Sequence, residues 1–217
     1  MSKAGMSPTG AGRKRNPLIE PRVFAGAIRV YAREGWGGFT FDAVAREAGV
    51  GKPAIYLRWS SREELLVAAI ETLDYPMARD CGSVRADLLD YSRQWVEWYG
   101  HDERVLAIRR VSYDRRNNAA LQVLHRDRIT GPRTEAAREI TRRAIRRGEI
   151  APTVRSSTVV DLLVGALFTH WDMSSEAGRS RLGETFPAYA ESLVEIILAG
   201  VAAVSGRPAP TVDQSAG

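Results

Sequence analysis

Apolar residues recur at three- and four-residue intervals along nearly the whole chain, and no segment alternates as a half-buried strand would. The spacing predicts helices over 18–34, 41–48, 53–58, 61–79, 82–100, 102–114, 117–129, 132–147, 156–173 and 184–205. Gly82, Gly100, Asn117-Asn118, Gly131-Pro132 and Gly148 punctuate them. Gly148 follows Arg146-Arg147, a basic last turn that suits the negative end of a helix dipole. The fold class is all-α, with no internal repeat and no glycine-rich phosphate loop.

The segment 40–59 is the most specific part of this pattern. Thr40 is a good N-cap, Asp42 suits the first turn, and Val44, Ala45 and Ala48 form an apolar stripe. Gly49 follows as a left-handed C-cap, and Val50 plugs the gap to a second short helix with Pro53 at its first position. Ile55 points inward, which leaves Ala54, Tyr56, Leu57 and Arg58 facing outward. Ser61 with Glu64 forms a capping-box pattern that opens the next helix. The arrangement is a helix-turn-helix, whose second helix fits a DNA major groove, although two short helices and a tight turn also occur in proteins that never touch DNA.

Residues 18–77 resemble the N-terminal domain of TetR/AcrR-family transcriptional repressors. The resemblance is carried by Ile28, Tyr31, Ala32, Gly35-Trp36, Phe39-Thr40, Val44-Ala45, Ala48-Gly49-Val50, Lys52, Ile55-Tyr56, Arg58-Trp59 and Ser61-Arg62-Glu63-Glu64-Leu65. Where that family commonly has Ser-Lys-Gly at the turn and Tyr-x-His-Phe after it, this chain has Gly51-Lys52-Pro53 and Tyr56-Leu57-Arg58-Trp59. Gly51 therefore offers no hydroxyl to a phosphate, and Leu57 offers apolar contact in place of a hydrogen bond. The resemblance implies a three-helix DNA-binding domain over 17–77, with its motif at 40–59. An effector-binding and dimerisation bundle over 78–205 would follow, between disordered tails at 1–16 and 206–217. The implied DNA contacts are Thr40, Gly51, Lys52, Pro53, Ala54, Tyr56, Leu57 and Arg58, with Lys14 and Arg15 of a basic arm reaching the backbone or minor groove. A solubilising tail is the competing reading of that arm.

Charge follows the same division. Residues 1–60 hold ten lysines and arginines against four acids, a net of +6, and the remainder holds 21 against 22. Excess positive charge confined to one end is the footprint of a chain whose front part faces phosphates. It disfavours an architectural DNA-binding protein, which would spread that charge broadly. The single Cys81 excludes an internal disulfide and a cysteine-rich zinc site. No unbroken apolar run near 18 residues appears and the N-terminus lacks a signal-peptide core, so the expectation is a cytoplasmic bacterial protein without membrane contact. Three scattered histidines and no nucleophile–base spacing leave no catalytic site, no metal site and no cofactor to expect.

Two further expectations concern the C-terminal part. Residues 159–171 and 193–204 are apolar around most of their circumference, and their place at the chain's end points to a four-helix interface of a homodimer. Val160, Leu163, Leu167, Leu193, Ile197 and Val201 are the positions expected there. Trp95, Trp98, Tyr99, Tyr113, His125, Phe168 and Trp171 are expected to line a pocket for a small aromatic or apolar effector, with ordinary core packing as the competing reading. Arg109-Arg110, Arg115-Arg116 and the arginines of 133–147 are assigned to solvated surface, the first two pairs having neutralisation of an acidic ligand as their alternative and the last a second interaction surface. The expected function is a ligand-responsive regulator that leaves a palindromic operator when its effector binds. Its alternatives are an activator or global regulator of the same fold, and more remotely a helical enzyme.

Overall fold

A computed structural model describes residues 19–175 and 181–205 of the chain. Among them lie ten α-helices: α1 (Ile19–Gly38), α2 (Phe41–Ala48), α3 (Lys52–Tyr56), α4 (Arg62–Glu71), α5 (Val84–Tyr99), α6 (Asp102–Asp114), α7 (Ala119–Leu124), α8 (Gly131–Arg146), α9 (Ser156–Met173) and α10 (Leu182–Ser205). The described residues contain no strand. The arm residues Lys14 and Arg15 and both expected tails lie outside the described residues.

Two helix boundaries differ from the sequence expectation for local reasons. The helix expected over 61–79 ends at Glu71, where the Thr72 hydroxyl donates to the Ala69 carbonyl at 2.7 Å. Pro76 disfavours helical geometry at Tyr75, and residues 74–81 carry no regular structure. Conversely, Gly131-Pro132 breaks nothing. A π-helical turn over His125–Thr130 leads straight into α8, whose first turn holds Pro132 where no N–H is needed.

Two apolar cores result. The first joins Val23, Tyr31, Phe39, Val44, Ile55, Leu66 and Ile70 from α1 to α4, and it also contains Ala107 and Val111 of α6 with Leu121 and Leu124 of α7. The division expected at 77/78 is therefore crossed by one core. The second is built from α5, α6, α8, α9 and α10 around Leu88, Tyr91, Ile140, Leu163, Phe186 and Val194.

This second core corrects the expected interface positions. Val160, Leu163, Leu167, Ile197 and Val201 are buried against the chain's own helices, and Leu193 is half-buried beside them. Their apolar character is already satisfied within one protomer. Solvent meets the opposite faces, with Leu162, Gly165, Thr169 and Met173 on α9 and Ile196, Ala199, Gly200 and Ala203 on α10. The stretch Gly183–Val204 is, by length and composition, apolar enough to cross a membrane, which the sequence reading did not anticipate. One face of it packs Phe186, Ala190, Val194, Ile197 and Val201 into this core.

A buried charge cluster closes the end of the bundle near Cys81. Asp87 is inaccessible to solvent; one carboxylate oxygen accepts the Cys81 N–H at 2.6 Å. The other accepts from Arg143 at 3.2 Å and Arg147 at 3.3 Å, and Arg143 also donates to the Arg79 carbonyl. Arg143 is thus a core residue, not part of a solvated face, because it neutralises a carboxylate that α5 carries inside. Asp87→Ala leaves both arginines without their buried partner and is expected to lower unfolding free energy by about 3–5 kcal/mol in urea titration, against under about 1 kcal/mol for Arg85→Ala on the exposed Arg85–Glu195 pair.

Candidate nucleic-acid interface and adjoining cavity

The local chemistry of 40–61 builds a short projecting helix. Thr40 caps α2 by accepting the Ala43 N–H at 3.1 Å, and Gly49 ends it at φ 62°, ψ 40°. That left-handed geometry suits glycine, and a Cβ there would lie 2.9 Å from Arg22, whose guanidinium donates to the Ala48 and Gly49 carbonyls. Gly51 is the N-cap of α3, so the second helix begins at Lys52, one residue earlier than expected, with Pro53 still in its first turn. Ser61 caps α4 through the Glu64 N–H, while the Glu64 carboxylate reaches back to Ser60. The Ser60 hydroxyl and N–H hold that carboxyl below its usual range.

On α3 only Ile55 is buried. Tyr56 and Leu57 are 60% and 81% exposed, and Thr40, Gly51, Lys52 and Pro53 lie open to solvent around them. Ala54 is half-buried. Phe41 meets Tyr56 edge to face at 4.9 Å between centroids, which orients the phenol. Arg58 departs from the expected outward position. Its side chain folds back to donate to the Ala54 carbonyl at 2.9 Å, within 3.6 Å of Glu20, because the last turn of α3 leaves that carbonyl free.

The positive charge of this end is also less available than the sequence count suggests. Arg29 and Arg33 bind Glu47, Arg22 holds the turn, and Lys52 meets Asp42 at 2.6 Å. Arg46 is exposed and makes no ion pair among the described residues. Arg62, read only as part of a motif, stacks on the Trp36 ring at 4.2 Å and donates to the Trp36 and Phe39 carbonyls.

On the other side of the first core, α6 lines a cavity of about 500 Å³. Trp95, Trp98, Tyr99, Tyr113, His125 and Phe168 all line it. Trp171 does not: it lies buried behind Tyr99, with ring centroids 5.8 Å apart. Arg109, Arg116 and Arg133, which the sequence placed on solvated surface, line the cavity too. For Arg109 and Arg116 that is the alternative the sequence offered; Arg133 had no such reading, and the packing of the π-helical turn on α6 is a tertiary outcome. His125 bridges Ser112 and Thr130 at 3.1 and 3.2 Å, and burial, with Arg115 and Arg133 nearby, holds its pKa below the usual histidine value.

The cavity and the first core share α6. Arg109 faces the cavity, whereas Arg110 donates to the Ala32 and Arg33 carbonyls at the end of α1. Gly35 breaks α1 at φ 65°, and a Cβ there would lie 2.7 Å from the Arg110 guanidinium. Asp114 accepts the Tyr31 hydroxyl at 2.9 Å and the Trp36 N–H at 3.1 Å. Helix α6 thus carries side-chain contacts to both cores, as Tyr75 does.

Residues 23–69 match the family described as bacterial regulatory proteins, tetR family, and residues 78–197 match the tetracyclin repressor-like C-terminal domain. The HTH-type transcriptional regulator Rv1556 of Mycobacterium tuberculosis is 31% identical over 150 residues, covering 68% of this chain and 73% of the relative. A DNA-binding transcriptional repressor TetR of Mycobacteroides abscessus is 37% identical over 70 residues, covering 31% of this chain and 37% of the relative. The crystal structure of the TetR family transcription regulator SCO0332 superposes with a TM-score of 0.55 at 27% identity, over 84% of this chain and 98% of the other.

Replacing Asp114 by alanine strips two donors of one acceptor where α6 meets α1. A loss of about 2–4 kcal/mol is expected in equilibrium unfolding, with Asp114→Asn recovering part of it because an amide oxygen still accepts.

Proposed function

The chain belongs to the tetR family of bacterial regulatory proteins and is a DNA-binding transcriptional regulator, and on that premise we propose a dimeric repressor released from a palindromic operator by a small effector. The observation that carries the reading is α3 itself: five residues anchored by Ile55 alone, holding Tyr56 and Leu57 out into solvent. Large side chains left uncovered beside a lysine suit groove contacts. Lys52, with the N–H groups at the start of α2 and α3, meets phosphates, while Pro53, Ala54 and Leu57 reach apolar base edges such as thymine methyls. Tyr56 adds a hydroxyl at the groove wall. Arg58 acts from within, fixing the end of α3. The relative in Mycobacteroides abscessus is described as a repressor, which favours repression over activation.

Dimerisation is assigned to the solvent faces of α9 and α10. Gly165, Ala199, Gly200 and Ala203 permit close helix approach, and Leu162, Ile196 and Met173 supply apolar area. Two α3 helices related by a two-fold axis would then meet half-sites about one DNA turn, roughly 34 Å, apart. The effector fills the cavity and acts through α6, whose Arg110 and Asp114 grip α1. It must bind the DNA-incompetent spacing better than the competent one, because equal affinity shifts nothing.

Two measurements test this. In electrophoretic shift with the chain's own promoter DNA, Lys52→Ala should weaken binding to every sequence and lower the salt slope by about one. An unchanged slope removes Lys52 from the phosphates. In sedimentation, the wild-type chain should run as two copies and Ile196→Glu as one, with operator affinity lost alongside. A wild-type monomer overturns the two-headed grip.

A further inference from the structure

The cavity against α6 has a chemical bias that a generic apolar effector does not explain. Its walls include Trp98, Tyr99 and Phe168, so a flat ring system fits by stacking. Three arginines line it, and no aspartate or glutamate does. Asp172 and Asp161 pair with Arg109 and Arg133, at 2.5 and 3.3 Å. Arg116 lines the cavity but is exposed and makes no ion pair among the described residues, so only solvent answers its charge. Arg109 sits 5.5 Å from the Phe168 ring centroid, which holds its planar fork at the aromatic wall.

Aromatic enclosures also bind cations, through the negative faces of their rings. Here that option is opposed by the arginines and by the lack of any lining carboxylate. Arginines without a lining carboxylate, set against an aromatic wall, suit an oxyanion carried on a flat ring.

We propose that this cavity binds an anionic aromatic molecule, with its ring system against Trp98, Tyr99 and Phe168 and its carboxylate toward Arg109 and Arg116. The assignment rests on the effector reading for its regulatory consequence but not for the binding itself. His125, with Ser112 and Thr130, supplies neutral hydrogen-bonding groups on the same wall. The ligand's charge thereby engages α6 directly, next to the residues that hold α1.

Calorimetric titration of the full-length protein with 2-naphthoate, 2-naphthamide and 2-naphthylmethylammonium separates charge from ring. The carboxylate should bind at least about tenfold more tightly than either isostere, as charge-assisted hydrogen bonds to arginine require. Arg116→Gln, which disturbs no ion pair, should remove several-fold of that preference and leave the amide unaffected; Arg109→Gln should remove more. Equal binding of the three, preference for the ammonium, no binding of any at millimolar concentration, or a preference untouched by both substitutions overturns the assignment. Binding of 2-naphthoate without release of promoter DNA keeps the ligand class and overturns the release step. Release by a neutral apolar compound alone does the reverse.

Discussion

Helix α6 is packed on two sides by different things, and most of the molecule's organisation follows from that double duty. Ala107 and Val111 are sealed into the core of the first four helices, while Val105 belongs to the core of the bundle and Ile108 packs against both. Consecutive arginines diverge, Arg109 to the cavity and Arg110 to the end of α1. Close-packed interiors do not deform continuously, so a helix shared by two cores couples their packing. The bonds from Asp114 to Tyr31 and Trp36 tie α6 to α1 beside its break at Gly35.

The projecting end is economical in a different sense. Much of its positive charge is spent on internal bonds: Arg22 holds a turn, Arg29 and Arg33 hold Glu47, and Arg62 lies across Trp36. These contacts fix α2 relative to α1 and α4, and so fix the angle at which the five-residue α3 stands out. A helix that short has little stability of its own; it persists because Ile55 is buried and because the Leu57 N–H and the Arg58 guanidinium close its C-terminal end. Rigidity behind the probe, more than charge upon it, is what this arrangement provides.

In the bundle, the apolar residues of α9 and α10 divide into two populations. One fills the protomer's own core, and the other, rich in glycine and alanine, faces outward. An all-round apolar helix sequence is compatible with either population facing either way. What separates them is the position of α5 and α8, which cover one side and leave the other bare.

Sequence alone determined the elements whose causes are local. The caps at Thr40 and Ser61, the left-handed Gly49, the inward Ile55 and the outward Tyr56 and Leu57 follow from periodicity and backbone stereochemistry within a few residues. Most of the cavity's aromatic set was legible too, because large rings at helical spacing converge, although Trp171 packs behind Tyr99 and Tyr75 joins the lining instead. Tertiary structure decided the rest. Arg143 and Arg58 turned inward because remote or freed acceptors awaited them, and Arg109, Arg116 and Arg133 were gathered at one cavity by the packing of separate elements. Leu163 and Ile197 faced the core instead of a partner for the same reason. A side chain's type is written in its own position, but which of several compatible surroundings it meets depends on helices tens of residues away.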